Sequence, residues 1–230
     1  MRTFTFAQLK QRSREKADMV NSQFVDNLEL ENLVNESLTD LYDILVTTLG
    51  ADYYVKDESF PTISGQSEYL LPSDFYKMAG VDLGSGSGKP LTVKPFMFQE
   101  RNRYNNALIY DASTDGVLRA RYRIIGENIK FVPDVLPSGT ITLWYHPACP
   151  IFSSDTDTFD GINGYEEMVI LLTAIKMLQK EESDTVALER RYEALKQRVV
   201  ESAANRDSGF PEQVQDTRRD TWGDNYFGDL

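Results

Sequence analysis

The strongest hydrophobic pattern in the chain lies between residues 28 and 50. Apolar residues recur there at intervals of three and four, which predicts an amphipathic helix with one buried face. The helix is predicted to end at Gly50. A shorter and more polar helix is predicted before it, from Thr5 to about Asp18, with Thr3 or Thr5 as its N-cap. The buried stripe of the longer helix is Leu30, Leu33, Val34, Leu38, Leu41, Ile44, Leu45 and Leu49.

From residue 52 onward the helical period is lost. Aromatic and β-branched clusters alternate with Pro and Gly, a pattern that predicts short strands joined by turns. The segment VLRARYRIIGENIKFVPDVLPSGTITLWYHPA supplies three strands, connected at residues 126–128 and 137–139. A short helix is predicted from about Phe96 to Tyr104. Together these residues predict a small antiparallel β domain.

Helical patterns return at residue 162. The segment NGYEEMVILLTAIKMLQKEES is apolar on nearly all sides, so this helix is expected to be buried on several sides. Asp184 is predicted to cap a further helix, whose apolar stripe is Leu188, Tyr192, Leu195, Val199 and Ala203. The predicted fold class is α+β. It comprises a discontinuous helical bundle (1–50 and 161–205), an inserted antiparallel β-rich domain (51–160) and an extended C-terminal arm (206–230).

The predicted arm is unusually rich in apolar residues for an end without periodicity. Gly209 and Pro211 end the helical order, and Phe210, Val214, Trp222, Tyr226 and Phe227 follow or flank them. Burial of these side chains supplies on the order of 10 kcal/mol. Ordering about 25 residues costs more, at roughly 1 to 2 kcal/mol each. The arm is therefore expected to become ordered on a partner, and the alternative is a disordered end.

Composition and charge restrict the function classes. The chain has 230 residues, 41% of them hydrophobic, which is enough for a buried core. Its 24 Lys and Arg against 36 Asp and Glu give a net charge of -12. Tight binding to nucleic acid needs clustered cations, so this charge favours a surface past which nucleic acid slides. We expect a soluble protein without membrane contact, since no long apolar run or signal-peptide core occurs.

The candidate catalytic and metal-binding motifs are all weak. The loop LGSGSGKP lacks the spacing of a phosphate-binding P-loop, and Pro90 stands where that motif needs a hydroxyl. His146 and Cys149 are the one imidazole and the one thiol of the chain. Two such ligands do not complete a structural zinc site, and the pair has no evident orienting partner. A lone cysteine forms no intrachain disulfide and fits synthesis in a reducing cytoplasm. We therefore expect no catalytic residue, metal or cofactor, and no enzyme activity.

An acidic segment, SSDTDTFDGINGYEE, has the partial spacing of a calcium loop. With Asp155 at position 1, Asp157 falls at position 3 and Glu166 at position 12. The match fails at position 5, which is Phe159, and at position 6, where Asp160 replaces the required glycine. The favoured interpretation is an acidic turn leading into a helix, with Asn163 or a neighbour as cap. Calcium binding remains the weaker alternative.

Five segments in a fixed order resemble the head-to-tail connector, or adaptor, proteins of tailed bacteriophages. The resemblance extends from about residue 28 to residue 218 and depends on the order of the segments, because the family has no catalytic motif. The segments are LVNESLTDLYDIL, GQSEYLLPSDFYKMAGV, YRIIGENIKFVP with GTITLWYHPACPIF, GYEEMVILLTAIKMLQKEESD, and AANRDSGFPEQVQDTR.

The resemblance implies a structural virion protein, made in the cytoplasm of the host bacterium. Such proteins form a ring, expected to contain twelve copies, beneath the portal protein. The helical bundle forms the ring, the β-rich part faces tail or nozzle proteins, and the C-terminal arm inserts into the portal. Double-stranded DNA passes through the ring without sequence-specific binding.

Two sets of residues acquire roles through this resemblance. The nearly all-apolar helix is expected to be buried between ring neighbours as well as within one chain. The residues assigned to this packing are Tyr165, Met168, Leu171, Leu172, Ile175 and Leu178. Portal contact is assigned to Arg206, Phe210, Pro211, Val214, Asp216, Arg218, Trp222, Tyr226 and Phe227. The alternative function is a calcium-dependent or carbohydrate-directed ligand-binding module that uses the Tyr- and Trp-bearing β domain.

Overall fold

Two helices begin the fold, and their caps explain where they start. The computed structural model describes residues 3–50, 53–84, 90–102, 120–134, 136, 138–162 and 164–204. Helix α1, Phe6–Lys16, starts at Thr5, whose side chain and that of Gln8 form a reciprocal capping box. Helix α2, Asn27–Leu49, starts where the Asp26 carboxylate accepts the N–H of Glu29 at 2.7 Å. It ends at Gly50, whose φ of 58° is a left-handed value that favours glycine.

Two further helices close the bundle from the other end of the sequence. Helix α3 is Glu167–Lys180 and helix α4 is Val186–Ala204. Asp184 accepts the N–H of Val186 at 3.0 Å, which confirms its predicted capping role. Helix α3 packs against α1, α2 and α4. The apolar residues on nearly all of its sides are therefore largely buried within one chain. The predicted discontinuous bundle is confirmed.

The inserted segment folds as two four-stranded sheets. Sheet 1 has the order β1-β8-β3-β4, and sheet 2 has the order β2-β7-β6-β5. All strand pairs in the described residues are antiparallel except β5 with β6. The strands are β1 Lys56–Pro61, β2 Glu68–Leu70, β3 Phe75–Gly84, β4 Leu91–Thr92, β5 Lys94–Pro95, β6 Arg121–Ile125, β7 Asn128–Val132 and β8 Thr140–Pro147.

The two sheets share one apolar core. Alternate residues of β8 are buried on its inner side, as expected for a strand with one face against a core. Across the interface, the ring of Phe60 on β1 lies 5.2 Å from the ring of Tyr69 on β2. The two sheets therefore form a sandwich, with one outer face on each side. Its core is Tyr69, Leu71, Val81, Leu83, Val93, Ala120, Ile129, Phe131, Leu136, Ile141, Leu143 and Tyr145.

Two sequence predictions need adjustment. The short helix expected from Phe96 to Tyr104 is a single 3-10 turn, Phe98–Glu100, within the described residues. The β domain was expected to extend to residue 160, but Phe152 and Phe159 pack in the helical core. The N–H of Phe6 also donates to the carbonyl of Asp157 at 2.8 Å, which fixes this segment on α1. We therefore propose a domain boundary near Pro147.

Candidate interaction site

A cluster of tyrosines joins the sandwich to the bundle. The Tyr42 hydroxyl, on α2, donates to the carbonyl of Pro147 at the end of β8 at 2.5 Å. The Tyr76 hydroxyl, on β3, donates to the Asp43 carboxylate on α2. The Tyr42 ring also lies 5.0 Å from the ring of Tyr54, in the link between α2 and β1. These three contacts therefore fix the position of the sandwich relative to the helical bundle.

The same tyrosines stay protonated at physiological pH. Burial, followed by nearby Cys149 and Tyr76, raises the pKa of Tyr42 to about 12. Burial, followed by the charge of Asp160, also raises the pKa of Tyr54. Both hydroxyls therefore remain hydrogen-bond donors, and neither serves as a general base. Their arrangement supports a mechanical junction rather than a catalytic centre.

Glu166 is a buried carboxylate beside this junction. It precedes α3, its exposed fraction is 1%, and burial raises its pKa above the ordinary value for glutamate. The backbone amides of Glu166, Gly161 and Gly164 oppose this shift in part, and the charge of Asp160 adds to it. Among the described residues, no donor has full hydrogen-bond geometry to either carboxylate oxygen. Gly161 permits the close packing, because a Cβ at this position would lie 2.6 Å from Cγ of Glu166.

We expect Glu166→Gln to increase the free energy of unfolding at pH 7. The pKa of Glu166 is raised in the folded state, so folding favours the protonated carboxyl. Below about pH 4.3, the ordinary glutamate pKa, both states bind the proton and ionisation costs nothing. Above that value the unfolded state releases the proton first, so stability falls as pH rises up to the folded pKa, and beyond it the full cost of burying the charge remains. The gain from the substitution should therefore be larger at pH 7 than at pH 4 in urea unfolding.

The matched control for this prediction is Glu167→Gln. Glu167 is the next residue in the chain, but its side chain is 40% exposed and pairs with Arg191. Loss of a surface ion pair costs at most about 1 kcal/mol. A Glu166→Gln variant that is equally stabilised, or destabilised, at both pH values would contradict the assigned cost of burying this carboxylate.

The structure gives His146 and Cys149 no catalytic activation. His146 is buried, and desolvation followed by the charge of Lys77 lowers its pKa. Desolvation of Cys149 raises the pKa of its thiol to about 11. A cysteine acts as a nucleophile or metal ligand as the thiolate, which this environment disfavours. Their surroundings support structural roles for both side chains.

The carboxylates of the acidic segment are engaged in local structure. Asp157 accepts the backbone N–H groups of Ser153 and Ser154, both at 2.9 Å. Asp155 pairs with Lys10 on α1 at 2.7 Å. Within the part of the chain that the structure describes, no group of three or more His, Cys, Asp and Glu is placed to hold a metal ion. The segment is a turn that attaches to α1, and the expected cap Asn163 lies outside the described residues.

The six residues assigned to ring packing divide into two groups. Met168, Leu171 and Ile175 are at most 4% exposed within a single chain. Tyr165, Leu172 and Leu178 are only partly buried. The first group therefore presents almost no surface to a neighbour in this conformation. Ring packing stays a prediction, and the second group is the part of α3 on which it now depends.

The portal-contact residues lie outside the described part of the chain. This applies to all of Arg206, Phe210, Pro211, Val214, Asp216, Arg218, Trp222, Tyr226 and Phe227. Most of the Gly-Ser loop, residues 85–89, is also outside it.

Within the described residues, none of the helices is both long and apolar enough to cross a membrane. The sequence did not identify the tyrosine junction or buried Glu166, although the aromatic pair Tyr53-Tyr54 between a helix and a strand was a usable signal.

A comparison with protein families identifies the class of this chain, in which the tyrosine cluster joins a helical bundle to a β-sandwich. A family model described as SU10 adaptor protein matches residues 4–221, nearly the whole length. The class is a phage head-tail adaptor, a structural component of the virion that interacts with portal and tail components. The chain belongs to the SU10 adaptor protein family. No curated protein sequence matches the chain.

Proposed function

We propose that copies of this chain assemble into a ring between the portal and the tail. The observation that carries the proposal is the family match, which spans both the bundle and the sandwich. The resemblance to phage connectors sets the expected number at twelve copies. The tyrosine junction supports this role, because a subunit under load between two assemblies needs its two parts held together.

The ring would continue the path of DNA out of the capsid. The net charge of -12 supports this use, since an acidic wall repels the phosphate backbone and forms few lasting contacts with it. Sequence-specific binding would need a cluster of cations at the wall. DNA would therefore pass through the channel without being retained.

The C-terminal residues 206–230 would attach the ring to the portal. Their apolar side chains supply too little burial energy to order the segment alone, as argued from the sequence. A portal groove would add backbone hydrogen bonds, and several arms on one portal would act together. The sandwich would then face the tail or nozzle proteins.

Particle imaging of the purified chain, alone and mixed with its portal protein, tests this proposal. We expect rings seated on the portal in the mixture. The alternative ligand-binding module predicts a monomer that ignores the portal and is stabilised by calcium or a carbohydrate. That second result would overturn the adaptor assembly, and thermal unfolding with and without calcium would identify it.

A further inference from the structure

The outer face of sheet 1 is left uncovered by the residues that the structure describes. On β8, Ile141, Leu143 and Tyr145 are fully buried in the shared core. The residues between them lie on the opposite side of the sheet, because successive side chains of a strand alternate. Strand register brings outward positions of β1 and β3 beside them. We call this surface the indole face, and its exposed or half-buried members are Asp57, Ser59, Gly80, Asp82, Thr142 and Trp144.

The indole of Trp144 has a fixed orientation on this surface. Its N–H donates to Oδ2 of Asp82 at 2.9 Å. In register Trp144 lies opposite Gly80, where a Cβ would be 3.9 Å from both Cβ and Cδ1 of the tryptophan. Because glycine has no side chain, the indole can extend across β3 toward Asp82. The side chain is still 39% exposed, so part of this positioned ring faces solvent.

The hydrogen-bonding groups of the indole face are largely used within it. The second carboxylate oxygen of Asp82 accepts the hydroxyl of Thr92 on β4 at 2.9 Å. The Ser59 and Thr142 hydroxyls bond to each other at 2.8 Å between β1 and β8. All of these partners are neutral, so they do not neutralise the Asp82 carboxylate. The face therefore offers negative charge and an aromatic ring rather than free donors and acceptors.

Two carboxylates flank the ring, and the lysines of the same sheet lie elsewhere. Asp57 is exposed on the edge strand β1, directly beside the indole in register. Lys56 bonds to Asp74 at 2.8 Å, in the turn before β3. Lys77 lies opposite His146, toward the end of the sheet that adjoins the bundle. Within the described residues, the indole face therefore contains acids and no cation.

This chemistry fits a positively charged side chain. A guanidinium or ammonium group is attracted to the face of an indole and to nearby carboxylates, and a guanidinium also stacks on the ring. A sugar would need partners directed at its hydroxyls, and most such groups of the indole face are already bonded to each other. DNA would place its phosphates against two carboxylates. A protein segment with an exposed arginine or lysine is therefore the best match.

The position of the indole face indicates which protein supplies that segment. Adaptors of this class interact with portal and tail components. The tyrosine junction holds the sandwich at one end of the bundle, and the proposed function directs the sandwich toward the tail. The indole face is therefore carried on the part of the subunit nearest the tail.

We propose that the indole face binds a basic segment of the tail component that contacts the ring. An arginine of that segment stacks on Trp144, while Asp57 and Asp82 attract its charge. This inference rests on the proposed function, and it identifies the surface and the chemistry of the tail contact. Because opposite charges meet there, the contact weakens as salt concentration rises.

Capture of tail particles by the full-length chain tests the inference. Portal particles loaded with the chain are mixed with tail particles purified from the same phage, and co-sedimentation measures the tails retained. The test variants are Trp144→Ala and Asp57→Lys, the second at an exposed position where a substitution has little effect on folding. The matched controls are Phe98→Ala and Glu127→Lys, which change exposed residues next to strands of sheet 2.

Each test variant should capture tails at least about tenfold more weakly, because it removes the aromatic anchor or places a like charge against the basic segment. Both variants should load on the portal as the unmodified chain does, since residues 206–230 are unchanged. The controls should load and capture normally. An unchanged far-UV circular dichroism spectrum checks that Trp144→Ala is folded.

Hydroxyl-radical footprinting of the unmodified chain provides an independent measurement. Trp144 should be protected from oxidation when tail particles bind, while Phe98 should stay as reactive as in the portal complex alone. Mass spectrometry of the peptides that contain these residues gives the two oxidation rates. This measurement needs no substitution, so it does not depend on the folding of a variant.

The results that would overturn the inference have different meanings. Test variants that capture tails as well as the unmodified chain, or an unprotected Trp144 in the captured complex, would exclude this contact and leave the proposed function intact. Protection of Trp144 by polysaccharide purified from the host cell, and not by tails, would assign the face to a sugar. An unmodified chain that does not load on the portal, or that loads and captures no tails, would remove the proposed function and this inference together.

Discussion

A chain that ends at residue 205 is expected to fold normally and to lose attachment to the portal. The helical core extends to Val199, which is 1% exposed, and the Tyr165 and Ser202 hydroxyls bond at 2.5 Å. These contacts precede the truncation and are retained. The removed residues, 206–230, contain the apolar side chains that we assign to the portal. The measurement is co-sedimentation with portal particles, together with thermal unfolding of the truncated chain.

A second truncation, after residue 218, is the matched control for the arm. It retains Phe210 and Val214, which we expect to be the first anchors, and removes Trp222 and the residues after it. We expect this variant to bind the portal more weakly than the full chain and more strongly than the shorter truncation. Portal binding that is unchanged when the chain ends at residue 205 would exclude the arm as the attachment segment.

Leu171→Ala is expected to reduce the free energy of unfolding by about 2 to 5 kcal/mol. Leu171 is fully buried in α3, so its truncation leaves a cavity surrounded by well-packed side chains. The effect should be visible in the isolated chain, because the burial is completed by elements of one copy. Urea unfolding measured at a concentration below assembly provides the value.

Leu172→Ala is the natural comparison, since it removes the same atoms one position further along α3. Leu172 is only partly buried, so the isolated chain should lose less stability than with Leu171→Ala. If Leu172 packs against a ring neighbour, its truncation should weaken ring assembly as well. Equal losses of stability for the two variants, with no effect on assembly, would contradict a ring-packing role for the exposed side of α3.

Patterns with a clear period were predictable from the sequence. The stripe from Leu30 to Leu49 predicted α2, and Gly50 predicted its end. The Gly126-Glu127 turn predicted the hairpin of β6 and β7, which closes with Ile125 opposite Asn128. Each of these features depends on neighbours in the chain. Local physics, namely helical period, turn residues and caps, was therefore sufficient for them.

Features that depend on distant contacts were not predictable in the same way. Tyr42 meets Pro147 across 105 positions, and no local pattern indicates that partner. Phe159 lies in an irregular segment between a strand and a helix. No periodic pattern of apolar residues in this segment therefore indicates that Phe159 packs in the helical core. Glu166 matched a calcium-loop spacing by position, whereas its burial follows from the packing of the 160–166 turn.

Electron cryomicroscopy of the head-tail junction in the intact virion tests the central claim most directly. We expect a ring of density between portal and tail into which the bundle and sandwich fit as one body. The residues after 205 should follow continuous density into the portal. A junction without density for this chain, or with the chain located only elsewhere in the virion, would contradict the adaptor account.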